Sequence, residues 1–193
     1  MAQPIISVFG SSSPLPESEA YLEAERLGAL LAEAGIAVAT GGYGGTMAAV
    51  SQGASEAGGR VIGVTCNHIE KWRPMPPNEW VAEEVRLESL RERLLHLVAN
   101  NNGMIALPGG IGTLSEVAFA WSLMQTGEIP RRPLVLLGPL WRETIRVYAQ
   151  SEYIRPRDMD LIYLATSAET AVGYVRQHLA DQFPQAGRIT PDG

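Results

Sequence analysis

Short, almost continuously apolar segments alternate with helix-forming segments along most of the chain. The segments that predict strands are residues 5–10, 36–40, 60–65, 80–87, 104–109, 133–138 and 160–166. The segments that predict helices are residues 18–35, 46–59, 88–101, 112–126, 140–150 and 167–182. Strands that are apolar on both faces are typical of parallel sheets covered by helices on both sides. The alternation therefore predicts an α/β fold, a Rossmann-like doubly wound and mostly parallel sheet with helices on both faces.

One domain is expected, because 193 residues suit a single compact unit and no internal repeat interrupts the alternation. We expect residues 1–183 to form a Rossmann-like nucleotide-binding domain and residues 184–193 to be a flexible tail. Residues 66–79, CNHIEKWRPMPPNE, contain three prolines and are expected to be irregular.

Charge and cysteine content exclude several classes of partner. The net charge is −6 with no basic block, which argues against nucleic-acid binding. No signal peptide and no apolar run long enough for a membrane span is seen, so a cytoplasmic protein without membrane contact is expected. Cys66 is the only cysteine, which leaves no disulfide framework within the chain and no multi-cysteine metal site.

Three loops rich in glycine or serine follow predicted strands, where ligands bind in parallel α/β sheets. Their sequences are GSSS at 10–13, TGGYGG at 40–45 and PGGIGT at 108–113. Glycines let backbone N–H groups approach an anion, and a helix N-terminus adds unpaired donors and a favourable dipole. The alternative is a set of tight turns without a ligand. The candidate binding residues are Gly10, Ser11, Gly41, Gly42, Thr46, Gly109, Gly110, Gly112 and Thr113.

The common phosphate and hydrolase motifs are absent from these loops. Neither the G-x-G-x-x-G dinucleotide fingerprint nor the G-x-S-x-G nucleophile elbow is present. A P-loop is excluded because Lys71 is the only lysine. The ligand expected is therefore a small phosphorylated molecule held in some other way.

A single carboxylate, Glu116, stands in a helix that is apolar nearly all round. From residue 94 to residue 127 it is the only formally charged residue, His96 aside. An ionised carboxylate in a core is costly unless it is paired or its pKa rises. One interpretation is a glutamate that stabilises the helix N-terminus. The other, which we favour, is a catalytic or ligand-orienting acid.

Arg93 is the candidate partner of Glu116 on the preceding helix. Leu90, Leu94, Leu97 and Val98 form an apolar stripe at helical spacing, and Arg93 lies on the shoulder of that stripe. Spacing alone favours a surface salt bridge or a snorkelling side chain over a functional arginine.

Four segments resemble the LOG family of phosphoribohydrolases, also labelled lysine decarboxylase-like. LPGGIGTLSE matches the family signature P-G-G-x-G-T-x-x-E. VFGSSSP, GGYGGTMAAVSQGASEAGGRVIGVT and SEYIRPRDMDLIYLATSAETAV resemble its opening strand, second glycine loop and closing segment. The resemblance covers roughly residues 5–180.

The resemblance implies hydrolysis of the N-glycosidic bond of a nucleoside 5′-monophosphate, such as AMP or a cytokinin riboside monophosphate. The products would be the free base and ribose 5-phosphate. It also implies that Arg93 and Glu116 are the catalytic pair, that neither a metal nor an organic cofactor is used, and that the protein is a homodimer. The helices at 88–101 and 112–126 would lie near the dimer interface.

Two positions depart from the family pattern, and they leave open which base is removed from the substrate. Leu94 follows Arg93 where the family usually has lysine, and Arg91 stands where a histidine is often found. The molybdenum-cofactor carrier proteins share this fold and bind a phosphorylated pterin without turnover, which gives the alternative of a carrier. A pyridoxal-phosphate decarboxylase is disfavoured because its Schiff base would require Lys71, in a proline-rich segment.

Overall fold

A computed structural model describes residues 3–182 and shows one seven-stranded sheet in the order β4-β3-β2-β1-β5-β6-β7. All six strand pairings are parallel. The strands are β1 Ile5–Phe9, β2 Ala37–Thr40, β3 Val61–Cys66, β4 Glu83–Leu87, β5 Gly103–Ala106, β6 Leu134–Leu137 and β7 Tyr163–Ala165. The predicted parallel α/β fold is thus confirmed.

Eight helices connect or follow these strands within the described residues. They are α1 Glu19–Glu33, α2 Thr46–Glu56, α3 Asn67–Trp72, α4 Leu90–Ala99, α5 Ile111–Thr126, α6 Pro139–Ala149, α7 Pro156–Met159 and α8 Ala168–Gln182. Side chains of α1, α2 and α8 pack in the core on one face of the sheet. Those of α4, α5 and α6 pack in a second core on the other face. Both faces of the sheet are covered, as strands apolar on both sides require.

Local sequence explains where the main helices begin and end. The Ser18 hydroxyl accepts a hydrogen bond from the Tyr21 N–H at the start of α1. Ser89 and Glu92 form a reciprocal capping box at the start of α4. Gly127, with φ of 78°, ends α5 in the left-handed conformation that glycine adopts without strain.

The structure corrects the prediction for residues 66–79. This segment is not irregular throughout, because residues 67–72 form α3 immediately after β3. The prolines at 74, 76 and 77 fall after that helix and leave its backbone hydrogen bonds intact. A second short helix, α7, was also missed. The predicted flexible tail at 184–193 lies outside the described residues.

The strand order changes direction beside β1, whose two neighbours are β2 and β5. Chain connections on the two sides of such a point run in opposite directions and leave a crevice at the carboxyl ends of the strands. The loops that follow β1, β2 and β5 are those rich in glycine or serine. The fold therefore brings the three predicted loops to one edge of the sheet.

Candidate active site

A cavity of about 610 Å³ opens at the carboxyl ends of the strands. A volume of this size is typical of small-molecule sites. Its walls come from the loop after β1, the start of α2, α3 and the residues after it, and the N-terminal parts of α4 and α5. The lining residues are Gly10, Ser11, Ser12, Ser13, Tyr43, Met47, His68, Ile69, Trp72, Arg73, Met75, Leu90, Arg93, Gly110, Gly112, Thr113 and Glu116.

Arg93 is buried in the floor of this cavity, with 6% of its surface exposed. Its Nε donates to the Val64 carbonyl at 2.7 Å, and its Nη2 donates to the Gly41 carbonyl at 3.1 Å. The guanidinium carbon also lies 5.7 Å from the ring centre of Tyr43. A planar guanidinium can bridge two carbonyls in fixed directions, which a lysine ammonium cannot reproduce. The side chain of Arg93 is therefore held in one orientation.

Glu116 lies in the second turn of α5 and is 9% exposed. Its Oε1 is 3.9 Å from Nη1 of Arg93, which is an ion-pair distance but too long for a hydrogen bond. No hydrogen bond from any group in residues 3–182 reaches the Glu116 carboxylate. The carboxylate is thus buried beside one cation and open to the cavity.

Burial raises the pKa of Glu116 to about 7. Loss of water around the carboxylate is the larger cause, and the nearby Arg93 charge opposes it. Arg93 offsets only part of the effect, since its Nη1 stays 3.9 Å from the carboxylate and donates no hydrogen bond to it. Near neutral pH, Glu116 can therefore both hold and release a proton. Its place beyond the first turn of α5 argues against a role in stabilising the helix dipole, whose effect fades within that turn.

The N-terminus of α5 meets the same cavity. Its N-cap is Gly110, no side chain caps the helix, and no acidic residue lies in its first turn. Gly110 and Gly112 are exposed while the side chain of Thr113 is buried. The first N–H groups of an uncapped helix are unpaired donors with a favourable dipole for an anion. This part of the cavity is suited to a phosphate group.

The predicted site residues divide into two groups. Gly10, Ser11, Gly110, Gly112, Thr113, Arg93 and Glu116 line the cavity. Gly41, Gly42, Thr46 and Gly109, which we predicted to bind substrate, are absent from its lining and support the walls instead. A Cβ on Gly41 would overlap Arg93, and a Cβ on Gly109 would overlap Thr113. The hydroxyl of Thr46 donates to the Ser11 carbonyl at 3.1 Å.

Sequence reasoning missed the wall contributed by α3 and the residues that follow it. His68, Ile69, Trp72, Arg73 and Met75 all line the cavity. The available signal was positional: this segment follows β3 and therefore starts at the same edge of the sheet as the glycine loops. Because the segment contains no glycine motif, the sequence did not indicate that it lines the same cavity as the glycine loops.

Known proteins are similar in sequence to most of this chain. The family model described as possible lysine decarboxylase matches residues 47–175. A probable cytokinin riboside 5′-monophosphate phosphoribohydrolase of Oryza sativa subsp. japonica is 34% identical over 140 residues, covering 69% of this chain and 53% of that protein. The chain thus spans about half the length of this rice relative. A cytokinin riboside 5′-monophosphate phosphoribohydrolase of Mycobacterium tuberculosis is 25% identical over 173 residues, covering 86% of this chain and 90% of that one.

A solved structure resembles the whole described fold. The molybdenum cofactor binding protein from Rippkaea orientalis superposes with a TM-score of 0.74 at 26% identity, covering 93% of this chain and 99% of that one. The fold and the buried Arg93–Glu116 pair at its switch point define a Rossmann-like α/β protein with a single-carboxylate site. The chain belongs to the LOG family, whose profile carries the lysine decarboxylase description.

Proposed function

We propose that this protein hydrolyses the N-glycosidic bond of a nucleoside 5′-monophosphate of the AMP or cytokinin riboside monophosphate type. The observation that carries the proposal is the Glu116 carboxylate, which is buried, open to the cavity and free of hydrogen bonds from residues 3–182. Burying such a group without a ligand to contact costs stability. A ribose that becomes positively charged during bond cleavage is a ligand that the Glu116 carboxylate would stabilise. The names of the plant and bacterial relatives support the same activity.

The 5′-phosphate would bind at the N-terminus of α5. Backbone N–H groups at Gly110, Gly112 and Thr113 offer donors there, and Ser11 adds a hydroxyl from the loop after β1. Binding this unreactive group fixes the ribose, so that binding energy is used to orient the reacting carbon. Glu116 is the only acidic residue among the described residues that line the cavity.

Bond cleavage would proceed through a cationic ribose. The C1′–N bond breaks, its electron pair leaves with the base, and the ionised Glu116 stabilises the oxocarbenium-like centre. A water oxygen then bonds to C1′ while Glu116 accepts the water proton, and the departing base takes up a proton in turn. One carboxylate serves here where most glycosidases use two. Arg93, fixed by two backbone carbonyls, would position Glu116 and the substrate hydroxyls.

A panel of nucleoside 5′-monophosphates tests the proposal. The full chain is incubated with AMP, GMP, CMP, UMP and a cytokinin riboside 5′-monophosphate, and with adenosine as the matched ligand that lacks phosphate. Free base and ribose 5-phosphate are quantified. We expect equal amounts of base and ribose 5-phosphate from at least one monophosphate, and at least tenfold slower release of adenine from adenosine because its phosphate anchor is missing. No release from any monophosphate would contradict the proposal.

A carrier function is the second candidate. The Rippkaea orientalis structure covers nearly the whole length of both chains, which favours a molybdenum-cofactor carrier on grounds of overall shape. The same cavity would then hold a phosphorylated pterin without cleaving it. Saturable binding of nucleotides with no release of base would favour this function.

The residues of the cavity do not fit a pyridoxal-phosphate decarboxylase, despite the description attached to the family. Such an enzyme needs a lysine for its Schiff base. Lys71 is exposed and does not line the cavity. Arg93, which occupies the floor, cannot form that bond.

We also propose that the protein is a homodimer. The outer side of α4 and α5 carries exposed apolar side chains, with Leu95 46%, Ile111 85% and Leu114 46% exposed. Covering these side chains with a second copy would remove apolar surface from water. Light scattering across micromolar concentrations is expected to give about twice the 20.8 kDa chain mass. A mass equal to one chain throughout that range would contradict the dimer.

A further inference from the structure

One wall of the cavity carries several apolar side chains, next to His68 and Arg73, and is open to solvent. Trp72 is 81% exposed and Leu90 is 52% exposed, yet both line the cavity. Ile69 and Met75 line it beside them, and we call these four residues the apolar wall. Single exposed apolar residues are common, but several gathered in one concave surface mark a place where a ligand binds.

The apolar wall lies at a distance from the proposed phosphate position. Trp72 and Ile69 belong to α3, which follows β3, whereas the N-terminus of α5 follows β5. Three inter-strand steps of roughly 4.8 Å separate β3 from β5, which gives about 14 Å. The carbonyls that hold Arg93 belong to β3 and to the residue after β2. In strand order, these anchors of Arg93 lie on the same side of β1 as α3, and the N-terminus of α5 lies on the other side.

Hydrogen bonds fix the segment that carries the wall at both ends. The Tyr43 hydroxyl accepts from the Cys66 N–H at 3.0 Å, and Arg86 donates to Glu70 at 2.6 Å. At the far end, the Asn78 side chain donates to the carbonyls of Gly42 and Tyr43, each at 3.0 Å. The prolines at 74, 76 and 77 restrict the backbone between these anchors. The backbone that carries Ile69, Trp72 and Met75 is thus restrained before a ligand binds, which lowers the entropy cost of binding.

We propose that the apolar wall is the subsite for the leaving base and that Trp72 is a specificity-determining residue that stacks on the base. This inference rests on the proposed function. The ligand that this subsite would select is a flat heteroaromatic ring attached to a phosphorylated ribose. Because the wall recognises the ring face, a larger ring buries more area, and purine monophosphates bind more tightly than pyrimidine monophosphates.

The test compares binding of AMP and ribose 5-phosphate. Ribose 5-phosphate retains the phosphate and sugar but has no base, so it reports on the rest of the site. Calorimetry is performed on the full chain with Glu116→Gln, which slows turnover, alone and combined with Trp72→Ala, Trp72→Phe or Tyr153→Ala. Tyr153 is the matched control, since it is an aromatic residue 95% exposed and outside the cavity lining.

Trp72→Ala is expected to weaken AMP binding about 10- to 100-fold, the scale of one lost base–aromatic stack. Ribose 5-phosphate binding stays within twofold, Trp72→Phe restores most of the AMP affinity, and Tyr153→Ala changes neither. AMP, but not ribose 5-phosphate, also quenches tryptophan fluorescence, and Trp72→Phe abolishes that quenching.

The outcomes separate this inference from the function on which it rests. Equal weakening of AMP and ribose 5-phosphate, or no weakening of either, overturns the base subsite while the hydrolase proposal stands. Selective weakening of AMP binding by Trp72→Ala, together with no release of base by the parent chain in the nucleotide panel, supports the subsite and overturns hydrolysis. If neither molecule binds, both proposals fall.

Discussion

Replacing Glu116 by glutamine is expected to lower kcat for the proposed hydrolysis of nucleoside monophosphates by a factor on the order of 10²–10³, comparable to the loss of one preorganised electrostatic contact. Glutamine keeps the shape of the side chain but carries no charge to stabilise a cationic ribose. Because the ground-state ribose is uncharged, KM changes little. Steady-state kinetics on the monophosphate cleaved fastest gives both constants.

The matched control for this change is Glu143→Gln. Glu143 lies on α6, is largely exposed and pairs with Arg146 at 2.8 Å, away from the cavity. The Glu143→Gln substitution should leave kcat and KM unchanged. A Glu116→Gln variant with full activity would show that the buried carboxylate has no part in the chemistry. Equal losses in both variants would point to a general effect of removing charge.

The fold and the position of Glu116 could be predicted because both depend on local patterns. Apolar runs and glycine stops recur along the chain, and they mark the strands and helices to within a few residues. A lone charge in an apolar helix signals an unusual environment whatever the tertiary structure. The parallel sheet then places the end of every strand at one edge, which is why Ser11 and Gly110 meet in one cavity.

Arg93 shows where local patterns fail. Helical spacing placed Leu90 on the buried stripe and Arg93 on its shoulder, but Leu90 is 52% exposed and Arg93 only 6%. The carbonyls that make burial of the guanidinium possible belong to Val64 and Gly41, 29 and 52 residues earlier in the chain. A helical wheel of α4 alone does not include these carbonyl acceptors, because they belong to β3 and to the residue after β2. Spacing made Arg93 a candidate partner of Glu116, but only the family resemblance gave it a catalytic role before the tertiary structure was known.

The apolar wall was missed for a related physical reason. Three of its four residues follow β3 in a short helix and a proline-rich stretch, where neither hydrophobic periodicity nor glycine content indicates a site. What brings Trp72 to the cavity is the connection of α3 to β3 and the anchoring of Asn78 on the β2 loop. Both are properties of the assembled sheet edge.

The raised pKa of Glu116 predicts how the stability of the protein depends on pH. The folded-state pKa is about 7, against 4.5 for the free side chain, so the folded protein retains a proton that the unfolded chain has lost between these values. The contribution of Glu116 to stability therefore falls as pH rises from about 4.5 to about 7, and this loss is complete above pH 7. A shift of this size corresponds to about 3 kcal/mol of unfolding free energy.

Glu116→Gln removes this loss, because the amide is neutral at every pH. We expect the unfolding free energy of the variant, relative to the parent, to rise by about 3 kcal/mol between pH 4.5 and pH 8. Chemical unfolding of both proteins at the two pH values measures this difference, and the contributions of the other titrating groups cancel. Glu143→Gln, whose parent carboxylate is exposed, should show no such rise. A Glu116→Gln difference that stays constant with pH would mean that the carboxylate is hydrated and ionised in the folded protein. Glu116 would then have its ordinary pKa, and nothing would favour its accepting a proton near neutral pH.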